Sequence, residues 1–218
     1  MPRWKPDAVE RLQAAALELF DEQGFERTTV AEIVQRAGLT QRTFFNHFAD
    51  KREVLFGLSA ELQQEIIGEI AGGDDTLPPL DAVVRALEVV ADKMLENRRA
   101  VVTRRYAVIA ANPELQEREL SKNAALTEAI AAVLHARCGD PETAFLAAGA
   151  AMLAQQAAFR KWTRPGETRT LRDLLPDALH SLRTTVNQNS VDPNQNSVDP
   201  NQNSVDPNQN SVDPPLPT

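Results

Sequence analysis

The stretch Thr29–Leu55, TVAEIVQRAGLTQRTFFNHFADKREVL, decides the fold class and states what the chain touches. Thr29 and Glu32 have the spacing of a capping box, so a short helix begins after Thr29. Val30, Ile33, Val34 and Ala37 form its apolar stripe. Gly38 ends it, because a residue without a Cβ takes positive φ freely. Thr40 caps a second short helix. That helix turns Phe44 and Phe48 inward and carries Gln41, Arg42, Thr43, Asn46 and His47 outward. Two short helices joined by a glycine turn make a helix-turn-helix, whose second helix fits the DNA major groove.

The outward set suits a duplex. Arg42 reaches guanine or phosphate, and Gln41 or Asn46 can pair with adenine edges. Thr40, Thr43 and His47 suit phosphate oxygens. Asp50 and Glu53 have the spacing of a further capping box, which puts Lys51 in the first turn of a fourth helix. A cation there opposes the helix dipole, and a neighbouring phosphate accounts for it. A helical hairpin with a solvated polar face is the plainer alternative. Turn, caps and groove-type side chains coincide, which favours DNA.

Residues 8–56, and within them ALELFDEQGFERTTVAEIVQRAGLTQRTFFNHFADKREVLF, resemble the N-terminal domain of the TetR family of bacterial transcriptional regulators. The resemblance implies an all-α homodimer of nine helices, with a helix-turn-helix head and a helical body that binds an effector. It implies DNA contacts from Thr28, Thr40, Gln41, Arg42, Thr43, Phe45, Asn46, His47 and Lys51. The family usually has tyrosine where this chain has Phe45, and phenylalanine cannot donate a hydrogen bond to phosphate.

The net charge of −8 and a pI near 5.0 argue at first sight against a nucleic-acid protein. Affinity depends on which charges face phosphate rather than on the total. Arg42, Lys51 and Arg52 cluster at the expected contact face, while several acids lie on the first helix and the turn after it. The single cysteine, Cys138, excludes an intramolecular disulfide framework and suits a reducing, cytoplasmic setting. No run of residues has the length and apolarity of a membrane span. No metal site, cofactor or catalytic motif is expected: His135 and Cys138 have ligand-like spacing but no second pair, and P-loop, GxGxxG and GxSxG patterns are missing.

Helical periodicity continues outside the head. The first helix is expected over Ala8–Gln23, the fourth from Asp50 to about Ile70, and the fifth over Leu80–Glu96. The sixth is expected over Arg98–Ala111, the seventh from Asn112-Pro113 to Gly139, and the eighth from Asp140-Pro141 to Trp162. The ninth falls within Leu171–Val186, with Pro176 at its start or at a kink. Three regions follow: a head at 1–50, an effector-binding and dimerisation body at 51–186, and a tail at 187–218. Residues 187–214 are four copies of NQNSVDP, too polar to bury a core, so disorder is expected there.

The eighth helix is rich in alanine, which permits close approach of a partner helix. The resemblance implies that the last two helices form the homodimer interface. Effector candidates are Met94, Arg105, Tyr106, Ile109, Met152, Phe159 and Trp162, with an arginine of the sixth helix anchoring an anionic, otherwise apolar ligand. The plainer readings are surface ion pairs for the arginines and ordinary core for the aromatics and methionines. The functional expectation is a transcriptional repressor released from a palindromic double-stranded operator by a small-molecule effector. The alternatives are an activator or architectural protein without effector and, at a distance, an enzyme or carrier.

Overall fold

The computed structural model describes residues 7–187; the NQNSVDP repeats, apart from Asn187, lie outside the described residues, and with them the expectation of a disordered tail. Among the described residues there are nine α-helices and no strand. The head comprises α1 (Ala8–Gln23), α2 (Val30–Ala37) and α3 (Gln41–His47). The body comprises α4 (Ser59–Ala71), α5 (Pro79–Val90), α6 (Arg99–Ala110), α7 (Pro113–Cys138), α8 (Pro141–Trp162) and α9 (Leu171–Asn187).

Local signals account for the head. Asp7 caps α1 by accepting from Glu10 N at 2.8 Å. Both halves of the Thr29–Glu32 capping box form. Gly38 takes the left-handed conformation at φ 64°. Arg11 on α1 then donates to the carbonyls of Ala37 and Gly38, which α2 leaves unsatisfied at its end. Leu12, Ala16, Leu19 and Phe20 of α1 meet Ile33, Val34, Phe44 and Phe48 in one buried cluster. Val54, Leu55, Phe56, Val108, Ile109 and Leu115 complete that cluster, so the head's core includes the end of α6 and the start of α7.

Two boundaries differ from the sequence expectation, each for a tertiary reason. The fourth helix starts at Ser59 rather than after Asp50. Asp50 does accept from the amides of Arg52 and Glu53 at 2.8 and 3.2 Å. Glu53 does not reach back to complete the box, because its carboxylate pairs with Arg118 and Lys122 of α7. The result is a short 3₁₀ turn, Glu53–Phe56, between head and body.

The fifth helix stops at Val90 and passes through a π turn (Ala91–Leu95) and a 3₁₀ turn (Glu96–Arg98). Neither glycine nor proline marks this bend. The bend coincides with docking of the α9 start, where Glu96 accepts from Leu171 N and Asp92 pairs with Arg172. In α9, Pro176 takes the internal one of the two places expected for it. Thr170 supplies the cap by accepting from Asp173 N at 3.1 Å, and burial of Leu171, Leu174, Leu175 and Leu179 holds the first turns. The second core joins α4, α5, α7, α8 and α9 around Trp162, Met152 and the α8 alanines.

Candidate DNA interface and effector cavity

Helix α3 presents its polar side as the groove reading requires. Phe44 is fully buried, and Phe48 packs against it with ring centroids 5.5 Å apart. These two rings fix the rotation of α3 about its axis, so Gln41, Arg42, Asn46 and His47 are exposed. Arg42 has no acidic partner among the described residues. Arg36, by contrast, is held by Glu18 and Glu22, and Arg52 by Asp50. The Glu22 carboxyl is accordingly held below its ordinary value by the Arg36 hydrogen bond. Thr40 accepts from Thr43 N at 3.1 Å, and the two hydroxyls share a further bond at 2.9 Å. Phe45 is 55% exposed and stands edge-on to Phe44. It can offer apolar contact to a sugar or thymine methyl.

Thr28 does not join this surface. It is 1% exposed, and its hydroxyl donates to Gly24 O at 2.8 Å and accepts from Gln23 Nε2 at 3.3 Å. Its work is to close the α1–α2 turn, and a phosphate cannot reach it in this conformation.

Lys51 is half-buried. Its Nζ donates to Phe25 O at 2.7 Å and lies 4.1 Å from the centroid of the Phe25 ring. The dipole argument made from sequence therefore falls away: Lys51 sits in a turn ahead of the helix, and a carbonyl and a ring face already accommodate its charge. A lysine has three N–H donors; Phe25 O and, at 3.5 Å, Glu26 O take two, so one remains for a phosphate.

The body holds a cavity of about 540 Å³ between the head and helices α4, α6, α7 and α8. Arg105, Tyr106, Ile109 and Phe159 line it, as expected from sequence. Met152 and Trp162 do not, being buried in the body core, and Met94 packs against that same core. The reason is rotational. Phe159 meets Tyr106 edge-to-face at 5.3 Å and packs tilted against Trp162 at 5.6 Å, and lies between the cavity and the core.

Four cations line the cavity, Arg98, Arg105, Lys122 and Arg160, against a single carboxylate, Glu119. Arg98 and Arg160 have no acidic partner among the described residues. The other two anchor the head. Arg105 donates to Leu55 O and, at 2.8 Å, to Glu119. Lys122 meets Glu53 at 3.3 Å. Of the other sixth-helix arginines, Arg104 fits the ion-pair reading and Arg99 does not. Arg99 donates to the carbonyls of Trp162, Glu167 and Arg169, and Arg104 pairs with Asp21 of α1.

Sequence reasoning missed Lys122 and Arg160. A signal existed for Lys122: Arg118 and Lys122 are like charges four residues apart on one helix, an unfavourable pair unless an acid faces both. Glu53 is that acid. Among the described residues no three His, Cys, Asp or Glu side chains converge as metal ligands. No described helix is long and apolar enough to cross a membrane.

A short capped helix with an outward polar face sits on a three-helix head, which joins a cavity-bearing helical body. Residues 12–58 match the model of the bacterial regulatory proteins of the tetR family, and residues 77–187 match the MftR C-terminal domain. The chain belongs to the TetR family, with a body of the MftR type. It is 29% identical over 131 residues to MftR of Mycobacterium tuberculosis, a regulator named for mycofactocin biosynthesis, covering 60% of this chain and 66% of that one. It is 33% identical over 81 residues to the regulator TcmR of Streptomyces glaucescens, covering 36% of each. The matches thus span about two thirds or less of these relatives.

Solved structures agree on the fold. SmeT, the repressor of a Stenotrophomonas maltophilia multidrug efflux pump, superposes with a TM-score of 0.55 at 18% identity, over 81% of this chain and 89% of its own. A TetR-family regulator of Syntrophomonas wolfei gives 0.59 at 17% identity, over 82% and 94%. The family and these relatives are regulators, not enzymes.

Proposed function

We propose that this chain is a cytoplasmic transcriptional repressor that binds a palindromic DNA operator as a homodimer and leaves it when a small molecule fills the body cavity. One observation carries the reading: a polar recognition helix, held in rotation by buried Phe44 and Phe48, shares its core with the residues that wall the cavity. The DNA contacts are Thr40, Gln41, Arg42, Thr43, Phe45, Asn46, His47 and Lys51. Arg42 is the principal base reader, since its guanidinium has no competing acid among the described residues.

A volume of about 540 Å³ suits a drug-sized ligand, and the excess of cations suits one with an anionic group on an apolar frame. Arg105, Tyr106, Ile109 and Phe159 form the proposed effector set, joined by Arg98, Lys122 and Arg160. An effector that prefers the dimer shape with misplaced heads lowers operator affinity by its differential affinity for the two states.

Dimerisation is assigned to α8 and α9. Phe145, Leu146 and Leu153 are more than half exposed along α8, beside small residues such as Gly149 and Ala157 that admit a close helix. A second copy of the same face would cover them around a two-fold axis. Selection of bound sequences from random duplex DNA with the full-length protein tests the whole reading. The expected product is an inverted repeat with half-site centres about 34–36 Å apart, or a multiple of that. Failure to enrich any sequence refutes it. Leu153→Glu should convert the dimer to monomer in sedimentation and abolish enrichment; a dimer that survives refutes the assignment of the face.

A further inference from the structure

We propose that the cavity wall nearest the head is a charge-exchange relay, in which an anionic group of the occupant displaces Glu53 from Lys122 and so loosens the turn that seats the head on the body. This rests on the cavity being the effector site.

The turn in question is Glu53–Phe56. Side chains from α6 and α7 hold it. Glu53 accepts from Arg118 Nε at 2.8 Å and from Lys122 Nζ at 3.3 Å. Arg105 donates to Leu55 O. The buried ring of Phe56 has the Arg105 guanidinium 5.1 Å and the Lys122 ammonium 5.4 Å from its centroid. Three cations therefore grip four residues. Two of the three, Arg105 and Lys122, also line the cavity, together with Leu55 and Glu119. Arg118 does not line it.

This division gives the relay its direction. An anion at the wall can compete only for the cations that face it. The Lys122–Glu53 contact is the more exchangeable one, because its distance is longer than that of the Arg118 contact to the same carboxylate. When Lys122 turns to the ligand, Glu53 keeps Arg118 alone, and the ammonium leaves the Phe56 ring. The turn then opens more readily, and its buried residues Val54, Leu55 and Phe56 pass this to α3 through the shared core. A neutral occupant of the same shape does none of this. Coupling is reciprocal: whatever frees Lys122 from Glu53 must also tighten anion binding.

Two fluorescent probes separate the cases. Anilinonaphthalene sulfonate and N-phenylnaphthylamine share an aromatic frame and differ in the sulfonate. Both are titrated into the full-length protein, its Glu53→Gln variant and its Lys122→Gln variant, and backbone amide exchange of residues 53–58 is followed in parallel. The sulfonate should bind Glu53→Gln about three- to fivefold more tightly than the parent, the upper part of the range for solvent-exposed ion pairs, because this pair is largely shielded. It should bind Lys122→Gln several-fold more weakly, while the neutral probe binds all three alike. The sulfonate alone should speed exchange at 53–58 in the parent, and Glu53→Gln should show fast exchange without it. Equal sulfonate affinities in all three proteins, with both probes bound, overturn the relay and leave the cavity reading intact. If neither probe binds the parent, the cavity reading itself fails and the relay with it.

Discussion

Replacing Lys51 by methionine separates what this side chain does for the head from what it does for DNA. The ammonium donates to Phe25 O at 2.7 Å and sits 4.1 Å over the Phe25 ring. A hydrogen bond with a charged donor contributes about 1.5–3 kcal/mol, and a cation–π contact at a solvated site about 0.5–1 kcal/mol. Two effects reduce the loss. Lys51 is half-exposed, and methionine keeps the apolar stem and places a polarizable sulfur near the ring, worth about 0.3–1.5 kcal/mol. The expected net cost is about 1–2 kcal/mol. For a chain of this size each kcal/mol lowers Tm by roughly 2–4 °C, so the fall should be about 2–8 °C. Thermal melts at fixed protein concentration measure it, because dimerisation makes Tm concentration-dependent. The remaining N–H is assigned to phosphate, so the slope of log affinity against log salt should drop by about one per subunit engaged. An unchanged Tm refutes the Phe25 contact, and an unchanged slope refutes the phosphate contact.

Arg42→Ala should erase discrimination between selected and scrambled duplex, a loss of about 1–3 kcal/mol per base contact, with the melting curve unaltered; retained discrimination removes Arg42 from base reading. Thr28→Val keeps shape but removes the donor to Gly24 O, so urea unfolding should show a loss of about 0.5–1.5 kcal/mol while DNA affinity at fixed salt stays unchanged. A weakened DNA affinity at fixed salt would restore Thr28 to the DNA contacts. Glu167, hydrogen-bonded by the Arg169 guanidinium, has its carboxyl lowered to about 2. A carboxyl depressed in the folded state gives stability that is full above its unfolded value and is lost as pH falls through the folded value. The α8–α9 turn should therefore lose that contribution between about pH 4.5 and pH 2, and Glu167→Gln should flatten the acid limb of the stability curve over this window; an identical limb in the variant refutes the pairing.

Much of the head was legible in the sequence because its determinants act over three or four residues. The Thr29–Glu32 box, the Gly38 turn, the Thr40 cap and the inward Phe44 and Phe48 are local relations, and α1 begins and ends where Asp7 and Gly24 place it. The proline-led starts of α7 and α8 were equally readable. What tertiary structure alone decided concerns partners distant in the chain. Thr28 resembles a phosphate ligand by position, yet folding buries it against the end of α1. Glu53 has the spacing of a cap, yet Arg118 and Lys122, some 65 residues or more away, claim its carboxylate and leave a turn where a helix was expected. Met152 and Trp162 have the helical spacing of cavity residues, but the packing of Phe159 assigns them to the core. Periodicity states which face of a helix is apolar. It does not state which neighbour covers that face, or where the neighbours leave room between them. That depends on how whole helices pack, and a cavity is defined only by several of them at once.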